Sequence, residues 1–143
     1  LLTCSQLIEK RVRVCLREQF DTTLPRFDLM AQLERHPEGL KMKELSHRLM
    51  VTGGNVTGIT DQLVAEGLVE RVAVDGDRRA FRVRLTPAGQ TSFAAMAEQH
   101  EQWIVEAFAD LPARDVDQLH RLLGRLKQSQ IEINRRLQAD ELE

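Results

Sequence analysis

Between Leu40 and Gly89 the apolar spacing passes from helical to alternating and back, and that succession restricts the folds open to this chain more than any other feature. Met42, Leu45 and Leu49 fall at i, i+3 and i+7, and Val56, Ile59 and Leu63 repeat the pattern after a break at Met50 to Thr52. Two short amphipathic helices joined by a tight turn are predicted, the second running from Thr52 to Ala65. It ends at Ala65-Glu66-Gly67, where Gly67 supplies a left-handed cap. Leu68 to Val74 then alternates as a strand, Asp75-Gly76 reverses the chain, and Phe81, Val83 and Leu85 alternate with Arg82 and Arg84 on the return. One face of that strand can be apolar while the other meets phosphate. Thr86-Pro87 restarts a helix, with Thr86 as cap and Pro87 at the first helical position. Helix, turn, helix and a hairpin tipped by Asp77-Arg78-Arg79 predict a winged helix-turn-helix, mainly α with a small β-hairpin wing.

At these residues the chain resembles the MarR family of bacterial transcription regulators. The matching pieces are Leu45-Ser46 through Val51-Thr52, Val56-Thr57, Asp61-Gln62-Leu63, and Glu66-Gly67-Leu68-Val69-Glu70-Arg71. Asp77-Arg78-Arg79-Ala80 and Leu85-Thr86-Pro87-Ala88-Gly89 complete them. The resemblance is tight over this central third and rests on length and pattern in the flanks. It implies a homodimer in which each subunit offers one winged helix-turn-helix to double-stranded DNA and the terminal helices interlock.

A length of 143 residues suits one domain. Residues 24–89 are expected to form the DNA-binding lobe, with 1–22 and 90–143 as dimerisation helices. A net charge of −2 looks wrong for a DNA binder until it is mapped. Eight basic side chains face six acidic ones between Leu40 and Thr86, so this segment is net positive and the acid lies in the flanks. A steering field depends on where charge sits, not on its sum. No run approaches the roughly 18 apolar residues of a membrane span, nothing resembles a secretory signal, and the cytoplasm is the expected compartment.

The first helix is predicted from near Leu1 to Phe20, with Leu1, Cys4, Ile8, Val12 and Cys15 as an apolar stripe. Its cysteines lie about 16 Å apart along the axis, too far to pair within one helix. Small buried residues are one reading of them. The resemblance supplies another, a thiol-based peroxide sensor, although this chain has no tyrosine to polarise a thiolate. From Ala113 to Leu137, Val116, Leu119, Leu123, Leu126, Gln130, Ile133 and Leu137 are spaced as a helix-pairing seam with one polar interruption. Homodimerisation buries such a stripe. A two-fold dimer should then place its recognition helices roughly 34 Å apart on a near-palindromic operator.

With Val56, Ile59 and Leu63 turned inward, Gly54, Asn55, Thr57, Gly58, Asp61 and Gln62 face outward. Asn55 and Gln62 can make bidentate bonds to adenine, and Thr57 can meet a thymine methyl or a phosphate. Each interior glycine costs a helix about 1 kcal/mol relative to alanine. Gly54 and Gly58 depart from the family, which often has polar or basic residues there, and they permit close backbone approach to the groove floor. In the wing, Asp77-x-Arg79 matches the family's pair in which the arginine enters the minor groove and the aspartate positions it. A narrow groove concentrates negative potential and favours a guanidinium. Arg78, Arg82 and Arg84 are expected at phosphates or in salt bridges, and Lys41, Lys43 and Ser46 are further phosphate candidates.

No His-Glu-x-x-His, Cys-x-x-Cys or Gly-x-Ser-x-Gly motif occurs, so neither an enzyme, a metal site nor a cofactor is expected. The resemblance does imply a small-molecule effector bound between the dimerisation helices and the DNA-binding lobe. Arg11, Phe20, Arg26, Phe27, Met30, His100 and Trp103 are its candidate contacts. A cationic and aromatic lining suits an aromatic acid or its coenzyme A thioester, with Arg13 and Arg17 also available to phosphates. The run Thr22 to Met30 resembles the branch that represses aromatic-acid degradation genes. The same aromatic residues at helical spacing also suit a plain core. A ligand-released repressor is thus the leading expectation, beside the peroxide sensor and a helical protein-interaction module without DNA binding.

Overall fold

The computed structural model describes residues 1–49 and 53–140. The chain divides into two compact units, Leu1–Trp103 and Ile104–Glu143. Three helices, α1 (Leu2–Phe20), α2 (Leu24–Glu34) and α3 (Met42–Leu49), are followed by α4 (Gly53–Ala65), the predicted recognition helix. The turn predicted at Met50 to Thr52 lies outside the described residues. Strands β1 (Leu40–Lys41), β2 (Val69–Val74) and β3 (Asp77–Leu85) form one antiparallel sheet in the order β1-β3-β2. The chain continues in α5 (Pro87–Ala107) and α6 (Ala113–Asp140).

Local chemistry sets most of these boundaries. The Thr23 hydroxyl accepts from the Arg26 N–H at 3.4 Å to cap α2, and the Glu44 carboxylate accepts from the Lys41 N–H at 2.8 Å to cap α3. At the end of α4, the Leu68 N–H reaches the Leu63 carbonyl and the Gly67 N–H reaches that of Val64, each at 3.0 Å. This double bond pattern needs the left-handed backbone that Gly67 adopts at φ 73°. Thr86 then joins two elements. Its hydroxyl donates to the Gly67 carbonyl at 2.6 Å and accepts from the Gly89 N–H at 3.0 Å, so α5 starts where α4 has stopped. Gly89 itself lies against Leu68, and a Cβ there would run into the Leu68 carbonyl.

The core of the first unit gathers Leu16, Leu29, Met30, Leu33, Leu45, Val56, Leu63, Val69 and Val83, all essentially inaccessible. Burial of this kind supplies the main stabilising term. Two expectations change here. The α1 stripe is buried only at Val12, while Leu1 and Cys4 are exposed and Ile8 and Cys15 are half-buried; Leu16 is the fully buried residue of this helix. The reason is length: α2 has 11 residues against 19 in α1, so it covers only part of the longer helix. The loop expected over Arg35 to Leu40 also ends in β1, whose Leu40 and Lys41 pair with Val83 and Arg82. Two residues carry no periodicity from which a strand can be read.

In the second unit, α6 leaves its seam open. Leu123, Leu126, Ile133 and Leu137 are all exposed, with Leu137 at 58%.

Candidate nucleic-acid interface

The buried face of α4 is Val56, Ile59, Thr60 and Leu63. Thr60 fits there because its hydroxyl donates to the Val56 carbonyl at 2.8 Å. Opposite lie Asn55, Thr57, Gly58, Asp61 and Gln62, all exposed, as the 3.6-residue period predicts. Gly54 belongs to the same helix. A Cβ at Gly58 would meet nothing within 4 Å, so packing does not require a glycine there. Between Gly53 and Ala65 there is no basic residue, and the only charge is Asp61. That carboxylate is paired with Arg71 on β2, whose guanidinium carbon lies 5.4 Å from the centre of the Phe81 ring on β3. Helix α4 and the hairpin are thereby cross-linked, and the acid is paired.

The hairpin tip departs from simple alternation. Ala73 pairs with Phe81 but the next residue, Val74, pairs with Asp77, which leaves Arg78, Arg79 and Ala80 as a bulge on β3. Asp77 organises this bulge, since its carboxylate accepts from the Arg79 N–H at 2.9 Å. Arg79 is exposed beyond it. The aspartate therefore sets the backbone from which the arginine side chain extends.

The two cations further down β3 have intrachain partners. Arg82 donates to the Gly39 carbonyl at 3.0 Å and ties β3 to the chain before β1, and Arg84 pairs with Glu70 at 2.7 Å. The expected phosphate face of this strand is thus engaged within the sheet. On α3, Lys43 is exposed and Ser46 half-buried, and Lys41 is exposed on β1.

The expected effector residues separate into two groups. Phe20, Arg26 and Met30 line a cavity of about 330 Å³ together with Thr22, Glu66 and Met96. Arg26 and Glu66 form a two-pronged ion pair across 40 residues, with one bond at 2.8 Å. Hydrogen bonding to Glu66 raises the Arg26 pKa, and the same bond holds the Glu66 carboxyl below its ordinary range. Because Glu66 directly follows α4, this pair fastens the end of that helix to α2. The Arg26 Nε is buried and has no hydrogen-bond partner.

Phe27, His100 and Trp103 instead form packed aromatic contacts outside that cavity. The Phe27 ring centre lies 5.4 Å from Phe93 and 4.8 Å from His100, and Trp103 sits 6.4 Å from both Phe20 and His100. Burial holds the His100 imidazole below its usual range, although Asp28 opposes that shift. Arg11 is exposed on α1. Sequence reasoning missed Glu66 as a cavity residue, because nothing in its surroundings points to an arginine 40 positions earlier.

A family model described as MarR family matches residues 20–80. A crystal structure of a MarR family transcriptional regulator from Silicibacter pomeroyi is 32% identical, with a TM-score of 0.75 over 90% of this chain and 88% of that one. The chain belongs to the MarR family. A MarR variant from E. coli, solved in complex with operator DNA, is 28% identical to this MarR-family chain, with a TM-score of 0.71 over 87% of this chain and 88% of the other. The HTH-type transcriptional regulator PecS of Dickeya dadantii is 26% identical over 103 residues, 71% of this chain and 62% of PecS, so the match spans less than two thirds of that relative. MarR-family proteins are transcriptional regulators, not enzymes. Among the described residues, no group of three or more His, Cys, Asp or Glu is placed to hold a metal ion. None of the described helices is long and apolar enough to cross a membrane.

Proposed function

We propose that this chain is a ligand-responsive repressor that binds a near-palindromic operator as a homodimer. The observation that carries the reading is the wing tip, where Asp77 bonds the Arg79 N–H within a three-residue bulge and leaves the Arg79 side chain exposed. An exposed guanidinium on a projecting tip is free to enter a narrow groove, whose negative potential favours it. Beside it, α4 offers Asn55, Thr57, Gly58 and Gln62 to the major groove, with Gly54 in the same helix, and Lys41, Lys43 and Ser46 offer phosphate contacts. The MarR variant solved with operator DNA supports DNA as the partner. The exposed seam of α6 and the uncovered turns of α1 supply the apolar surface a dimer buries.

The effector proposed is a small aromatic acid, or its coenzyme A thioester, bound at the Phe20, Arg26 and Met30 cavity. Its carboxylate would compete with Glu66 for the Arg26 guanidinium and so loosen the end of α4. The experiment that tests the core reading is a gel-shift titration with palindromic DNA at several salt concentrations. Binding should weaken steeply with salt. Arg79→Ala should cost about 1–3 kcal/mol of operator affinity and Arg78→Ala less. Equal effects, or none, would remove the assignment of Arg79 to the groove, and absence of binding at low salt would remove the repressor reading.

A further inference from the structure

We propose that a groove between α2, β3 and α5 is a second small-molecule site, one that takes an organic cation with a flat apolar body. The groove encloses about 390 Å³, within the size range of small-molecule sites. Leu33, Leu85 and Phe93 form its floor, and each is more than nine-tenths buried. One wall is α5, where Gln90, Ala94 and Ala97 follow one another at helical spacing. Two alanines there leave a shallow, smooth surface on which a planar ring system can lie.

The charge selects the sign of the occupant. Glu34 lines the opposite wall and is the last residue of α2. The last carbonyls of a helix carry a partial negative charge, and the last turn of α2 holds no basic residue to offset it, although the His36 N–H meets the Leu33 carbonyl at 3.1 Å. His36 bonds one of those carbonyls, that of Gln32, at 2.8 Å, but neither it nor Arg35 lines the groove. Among the described residues, no Lys, Arg or His lines it. The Phe93 ring adds an aromatic contact for a planar ligand. Phe93 is held by Phe27, 5.4 Å behind it. A carboxylate and a helix C-terminus therefore converge on one apolar slot with an aromatic ring in its floor. An aromatic acid is disfavoured here for the same reasons.

The test uses the purified chain without DNA and two fluorescent probes of one ring system, N-methylacridinium and acridine-9-carboxylate. Anisotropy titration should show saturable binding of the cation, with the anion at least about tenfold weaker. Glu34→Gln should weaken the cation about tenfold. Ala97→Leu, which fills the slot, should abolish binding, with thermal melting confirming that the variant is folded. Glu38→Gln, an exposed acid outside the groove, should leave binding unchanged. Equal affinity for the two probes, equal loss in Glu34→Gln and Glu38→Gln, or undiminished binding by folded Ala97→Leu would each overturn the proposal. None of these outcomes bears on operator binding, so this site and the repressor reading stand or fall separately.

Discussion

Asp77 and Arg79 sit two residues apart and do different jobs: one carboxylate fixes a backbone N–H, and the side chain beyond it is left exposed. The resemblance pointed to the pair in the sequence, and the bond between the two residues is local. Gly58 was legible only in part. Its outward position follows from the helical period, but the structure adds that its missing side chain faces open space. Among the described residues, no packing contact at this position offsets the roughly 1 kcal/mol that a helix loses at an interior glycine. Gly58→Ala should therefore raise stability by about that amount and weaken operator binding, if α4 lies close to the groove floor. Parallel thermal melts and gel shifts measure both, and a variant that is more stable and binds equally well would rule out close approach. Thr86 shows what a single residue can conceal. Its capping of α5 is visible in Thr86-Pro87, whereas its bond to the Gly67 carbonyl requires the fold.

At the scale of elements, α3, α4 and the hairpin follow from period and turn chemistry, while their pairings do not. The bulge in β3 shows the limit: alternation from Phe81 to Leu85 is plain, but the slip that frees Arg78, Arg79 and Ala80 depends on where β2 meets β3. The contact between α2 and α5 carries a pH dependence of its own. His100 packs its ring against Phe27, and burial lowers its pKa below that of an unfolded chain. The folded state thus holds this proton less tightly, so stability should fall as pH drops through about 6.5. Asp28 acts in a different window. Burial pushes its pKa up, so its contribution favours the folded state below about pH 4 and diminishes as pH rises. Denaturant midpoints compared at about pH 5.5 and about pH 7.5 should differ less in His100→Gln than in the parent chain. An unchanged difference would assign the effect to another group.

For the whole molecule, the seam on α6 is the feature that points beyond one chain. Leu126 is 44% exposed near its middle, and a helix with such a stripe pairs with another through its apolar positions. Leu126→Asp should leave the helix folded, convert a dimer to a monomer in sedimentation, and weaken operator binding by removing the second reading head. A variant that stays dimeric would move the interface elsewhere. The sequence by itself determined α1, α3, α4 and α6, the caps at Gly67 and Thr86, the reversal at Asp75-Gly76 and the spacing of Asp77 to Arg79. All of these rest on bonds or periods spanning a few residues. Only the tertiary structure decided that Leu40 and Lys41 form a strand, that Arg82 turns to Gly39 43 positions away, and that Arg26 grips Glu66. It also decided that Phe20, Arg26 and Met30 share a cavity while Phe27, His100 and Trp103 pack in an aromatic cluster. Those partners are brought together by burial of the core, which rewards apolar area without regard to separation along the chain and so leaves no local pattern from which to read them.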